Sequence, residues 1–144
     1  MARARRKEAP GEVPAARAPH VVLDVELEGG LLFLVLANVG DGVAYDVRVR
    51  FSRSLRGVGG SRDLAKLGAF QGLALLRPGR ELRAFLDVAE LLFRRKQSTA
   101  FRARVAWRDR AGGKHAETIH HDLAIWRDWG EVVAPPPREG PGLP

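Results

Sequence analysis

Alternation of apolar and polar residues with a period of two is the feature that most restricts this chain. In VAYDVRVRF, residues 43 to 51, Val43, Tyr45, Val47, Val49 and Phe51 fall on one side, and Ala44, Asp46, Arg48 and Arg50 on the other. A strand with one buried face has this pattern. STAFRARVAWRD repeats it, with Phe101, Ala103, Val105 and Trp107 inward and Arg102, Arg104 and Arg108 outward. VVLDVELE also alternates, whereas LLFLVLANV is apolar on both faces, as a central strand of a covered sheet is. A helical bundle needs apolar residues every three or four positions and is excluded.

Turn signals separate further strands. GLALLRP and ELRAFLDV are joined by Pro78-Gly79, which suits a type II turn with proline second and glycine third. In WRDRAGGK, Gly112-Gly113 lies between the preceding extended run and a last strand read as KHAETIHHDLAIW, which makes a hairpin. Only SRDLAKLGAF and AELLFRRKQ suit a helical turn. About seven short strands, each with a face to bury, predict an all-β antiparallel sandwich of the immunoglobulin-like kind.

With 144 residues the chain has room for one such domain, placed at 19–130. Residues 1–18 read as a flexible basic arm, and 131–144, EVVAPPPREGPGLP, as a disordered proline- and glycine-rich tail with a PxxP spacing. The basic start lacks the apolar run of a secretory signal, and its prolines and acids spoil the amphipathic helix of a transit peptide, so the expected location is cytoplasmic. No segment approaches the roughly 20 apolar residues of a membrane span, so no membrane insertion is expected. The absence of cysteine removes thiolate chemistry and disulfides together.

Asn38-Val39-Gly40, then Ala44 and Val47, then LRPGRE before a later strand, resemble the immunoglobulin-like modules of bacteria and archaea, among them the cell-adhesion-related (CARDB-type) domain. The resemblance covers residues 21 to 126 and implies a β-sandwich that binds or supports other proteins. Val43 stands where those modules commonly have proline, and Asn38 near the bend is a candidate backbone hydrogen-bonder.

No catalytic set emerges. Ser52, Ser54, Ser61 and Ser98 lack a nucleophile elbow. On a strand His120 and His121 point to opposite faces, and His115 is about 20 Å from His121 at roughly 3.3 Å per residue. Neither a metal site nor any other cofactor is therefore expected. RGVGGSR, with Arg53, Arg56 and Arg62 about it, is either an anion-binding nest or a flexible connection; it is no P-loop, because no lysine and serine or threonine follow. Trp107 reads as core, and Trp126 and Trp129 as anchors of the terminal strand.

The basic residues say more. The net charge of +7 sits mostly on the folded body. In an immunoglobulin-like sandwich the third and sixth strands pair in one sheet, which would place Arg48, Arg50, Arg102, Arg104 and Arg108 on one exposed face. Such a face needs acidic neighbours, for which Asp46, Asp109 and Asp122 are candidates, or an anionic partner. The expectation is a non-enzymatic protein-interaction or structural module that uses a sheet edge or this arginine-lined face. Nucleic-acid binding by the same face and the basic arm is the alternative.

Overall fold

The computed structural model describes residues 17–129. Among these residues nine strands form: β1 (Val21–Glu28), β2 (Leu31–Asn38), β3 (Ala44–Phe51), β4 (Arg56–Gly57), β5 (Arg62–Asp63), β6 (Leu73–Leu76), β7 (Glu81–Val88), β8 (Ala100–Arg108) and β9 (Lys114–Asp122). Two short helices among the described residues, α1 (Gly68–Gln71) and α2 (Ala89–Arg94), fall in the two segments that suited a helical turn. Three strands form one sheet in the order β1-β2-β7, four form a second in the order β6-β3-β8-β9, and β4 with β5 makes a small ribbon. Every pairing is antiparallel.

The sandwich is closed by the residues that alternation sends inward. Leu23, Val25, Leu34 and Leu36 of the first sheet and Val47, Val49, Ala103, Val105 and Trp107 of the second belong to one buried cluster. Burying a leucine or valine contributes roughly 1.5–3 kcal/mol relative to leaving it in water, so this layer is the main source of stability. Trp107 lies between the rings of His20 and His115, at centroid distances of 5.9 and 5.8 Å. Its Nε1 is buried with no hydrogen-bond partner among the described residues.

The turns follow their chemistry. Arg77 O accepts from Arg80 N–H at 3.1 Å around Pro78-Gly79, with Gly79 at a φ of 79°, and this turn carries the chain from one sheet to the other. The hairpin at Gly112-Gly113 is closed by bonds between Asp109 and Gly113 and between Gly112 and Asp109, both 2.9 Å.

Asn38 is buried and fully used: its Oδ1 accepts from the backbone of His20 (3.2 Å) and Gly40 (3.0 Å), and its Nδ2 donates to Gly42 O (2.8 Å) and Leu76 O (2.9 Å). Of the proposed arm only residues 17 and 18 fall within the described residues. They cross the β2–β3 connection so closely that a side chain on Gly42 would occupy the place of the Arg17 carbonyl oxygen. The rest of the arm and the tail lie outside the described residues.

Three expectations need correction. In β3 strict alternation fails: Tyr45 pairs with Arg108 and Arg48 with Ala106, so β3 carries one extra residue. Asp46, at a φ of 51°, takes the left-handed position that such a bulge ordinarily gives to glycine. As a result Ala44, expected outside, is fully buried, and Val47 is buried with it. Secondly, the last strand stops at Asp122, whose side chain accepts from Ala124 N–H and starts a 3-10 turn over Leu123–Trp126. Trp126 packs on the core, but Trp129 is about half exposed, at 48 %. Thirdly, β2 is a central strand buried on both sides from Leu34 to Asn38, but its other end is open: Leu31 is exposed and Phe33 is partly covered by the Arg83 guanidinium.

Candidate functional site

β3 and β8 lie side by side, so the outward residues of both share one face of the four-stranded sheet. From one end to the other its rows are Tyr45, Arg108 and Lys114; Arg48, Ala106 and Ala116; Arg50, Arg104 and Thr118; and Arg102 beside His120. Arg48, Arg50, Arg102, Arg104 and Arg108 are all exposed, as the alternation requires. The bulge at Asp46 keeps Arg48 and Arg50 outward although the strand before them has changed parity.

Three features set the electrostatics. Arg50 and Arg104 are direct cross-strand partners, an arrangement that costs a fraction of a kcal/mol unless an anion intervenes. Asp46 reaches Arg48 Nε at 3.2 Å and Arg108 Nε at 3.6 Å and balances that end. Arg50, Arg102, Arg104 and Lys114 make no ion pair among the described residues.

The other two expected acidic neighbours are engaged by other groups. Asp109 accepts from His115 Nε2 (2.8 Å) and from Gly113 N–H (2.8 Å), and these bonds, the His115 one foremost, hold its carboxyl below the usual range. Asp122 accepts from the Thr99 hydroxyl at 2.7 Å and from Ala124 N–H, which hold its carboxyl low in the same way. Both are occupied by local turns.

The shape of the face adds to the charge. Ala106 and Ala116 are opposite one another on β8 and β9 and form the floor of a shallow depression. Arg48, Arg104, Arg108 and Lys114 form its rim, with Asp46 as the single acid. A small-residue floor between long cationic side chains lets several guanidinium groups converge on one carboxylate or phosphate. Lys114 and the alanines were not singled out in the sequence, because only the β8–β9 register brings them beside the arginines.

The remaining sequence features have structural roles here. His120 lies on the arginine side of β9 and His121 on the core side, where its Nε2 bonds Leu23 O at 2.8 Å and links the edges of the two sheets. His20 Nε2 makes a second link, to Glu117 at 2.9 Å. Among the described residues no group of three or more histidines and carboxylates is placed to hold a metal ion. Ser52 Oγ accepts from Arg102 N–H (2.9 Å), and Ser61 Oγ donates to Val58 O (2.7 Å).

The glycine-rich loop is the β4–β5 ribbon, pinned by Val58 N–H to Leu86 O at 2.7 Å. Its Gly59 N–H donates to a carboxylate of this chain, Asp87, at 3.1 Å. Asp87 is 1 % exposed and also accepts from Val88 N–H (2.8 Å) and Arg95 Nη1 (2.7 Å). The anion of this nest is therefore internal. Asp63, at the end of the ribbon, is pushed up by burial, but bonds from Leu55 and Ala65 N–H, with Ser54 and Arg56 nearby, outweigh that and hold its carboxyl low.

A family model described as a domain of unknown function (DUF8453) matches residues 2–127. No curated protein and no solved structure matches the chain.

Proposed function

The chain belongs to the family of the domain of unknown function DUF8453, and from the chemistry of its arginine face we propose that it is a non-enzymatic, immunoglobulin-like interaction module for an acidic protein partner. The observation that carries this reading is the set Arg50, Arg102 and Arg104, exposed on one sheet face and without ion-pair partners among the described residues. A sheet built only for solubility intersperses both signs of charge, whereas here the nearby Asp109 and Asp122 are engaged by their own turns. Guanidinium groups favour carboxylate partners that they can grip through two bonds, and the alanine floor leaves room for such a group to approach.

Nucleic acid is the second reading and rests on the same residues. Base stacking would need exposed aromatic rings between the arginines, and the aromatic residue on this face, Tyr45, is partly buried. Fluorescence anisotropy with a labelled poly-glutamate peptide and a labelled oligonucleotide decides between them. At about 50 mM salt the peptide is expected to bind, with at least about tenfold loss in the Arg50→Glu/Arg102→Glu/Arg104→Glu protein and a steep fall at higher salt. Oligonucleotide binding without peptide binding would move the assignment to nucleic acid, and binding of neither ends both readings.

A further inference from the structure

The sheet opposite the arginines has the reverse character. Its outer face carries Asp24, Glu26 and Glu28 from β1 and Glu81 from β7, against one guanidinium, Arg83. Arg83 spans Glu26 (3.1 Å) and Glu28 (2.9 Å) while lying 4.3 Å from the centre of the Phe33 ring. Beside it Leu31 and Phe85 are over one third exposed, at 36 % and 38 %. The exposed apolar part of this face is thus the Leu31 and Phe85 end, set among carboxylates, while Val35 and Ala37 along the middle strand are buried. Apolar side chains exposed among like charges suit contact with a surface of the opposite sign.

We propose that the partner is a second copy of this chain, whose arginine face lies on the acidic face of the first. This deepens the reading of the arginine face given above and rests on it. The two surfaces match in sign, since Asp24 and Glu81 make no ion pair among the described residues and neither do Arg50, Arg102 and Arg104. They also match in character, because the alanine floor at Ala106 and Ala116 gives the exposed Phe85 and Leu31 an apolar seat between the arginines.

Geometry sets the form of the assembly. The two faces lie on opposite sides of one sandwich, so the contact is head to tail and each added copy leaves one face of each kind open. Three strands of eight residues cover about 26 by 14 Å, less than the roughly 800 Å² per partner of a standard interface, so the contact is weak and reversible. A ladder of oligomers that lengthens with concentration is expected, and no discrete dimer.

Sedimentation velocity on the full chain tests this. At about 50 mM salt the wild type should sediment faster as its concentration rises, and at about 500 mM it should run as a monomer. Arg50→Glu/Arg102→Glu/Arg104→Glu should be monomeric alone, and so should Asp24→Lys/Glu81→Lys. Mixed in equal amounts they should associate again, because the first retains a natural acidic face and the second a natural arginine face, and their reversed faces are also opposite in sign. All five positions are exposed, and circular dichroism verifies the fold of each variant. A wild type that is monomeric at low salt at every concentration overturns the proposal, and so does a mixture that fails to associate. If that monomer still binds poly-glutamate, the arginine-face reading stands without self-association; if it does not, both fall together.

Discussion

Replacing Asp87 with alanine should be among the most damaging single changes in this protein, although the residue lies far from the arginine face. Its carboxylate is 1 % exposed and takes three donors: Gly59 N–H, Val88 N–H and the Arg95 guanidinium. Alanine leaves both amides without an acceptor and Arg95 without its partner. Breaking a buried pair costs about 3–5 kcal/mol, and each orphaned buried amide about 1–3 kcal/mol. These do not add in full, because the Arg95 side chain is one quarter exposed (25 %) and still donates to Arg56 O at 2.9 Å. A net loss of about 3–4 kcal/mol follows, a large part of the 5–15 kcal/mol that holds a typical domain together.

Asparagine at position 87 retains one acceptor oxygen for the two amides and loses the charge facing Arg95, so about 1.5–3 kcal/mol is expected. Urea unfolding followed by tryptophan fluorescence, to which the buried Trp107 contributes, measures both. With a slope near 1.5 kcal/mol per molar, the midpoint of Asp87→Ala should fall by roughly 2 M. The double variant Asp87→Asn/Arg95→Met should lose less than the sum of its single losses, by at least about 1 kcal/mol, since the partners are in contact. An alanine variant within about 1 kcal/mol of the wild type, or strict additivity, would refute the reasoning.

Asn38→Ala should cost about 2–4 kcal/mol in the same assay, because it removes four hydrogen bonds from a buried site. At Asp46, glycine relieves the left-handed φ while removing the acid that faces Arg48 and Arg108. Asp46→Gly should be near neutral in thermal stability and bind poly-glutamate more tightly, whereas Asp46→Ala should lose about 1 kcal/mol to backbone strain. Asp63, Asp109 and Asp122 all have carboxyls held below the usual 3.8. Their contribution to stability is complete above that value and is lost as pH falls through their lower folded-state values, so a pH series of urea midpoints should decline below about 4.

The strands were readable because a half-buried antiparallel sheet leaves its period in the sequence, and the parity of Arg102, Arg104 and Arg108 on β8 came with it. Arg48 and Arg50 also lie outward as expected, but Ala44 does not, because the intervening bulge is made by an aspartate in a conformation that glycine usually marks. A second extra residue separates the Phe33–Phe85 and Leu32–Asp87 pairs on β7, so Leu86 and Asp87 are both buried, and local sequence gives no sign of it. The acidic neighbours were misjudged for another reason. Asp109 and Asp122 carry the turn and cap roles that short acidic side chains favour, and those local bonds outcompeted the arginines. Lys114 and the alanine floor depend on the register between two strands, which alternation alone does not determine.

The Asn38 amide has a consequence for the time course of folding. Its partners His20 and Leu76 lie 18 and 38 positions away in sequence, the first just before β1 of the same sheet and the second on β6 of the other, so the full set of bonds forms only when both sheets have come together. Until then water satisfies the amide, so these bonds do little to lower the barrier on the way in. They must break on the way out, and the amide acts as a latch that sets the lifetime of the native state. Stopped-flow traces of Asn38→Ala should show faster unfolding at a nearly unchanged refolding rate, with its stability loss read almost entirely in the unfolding arm.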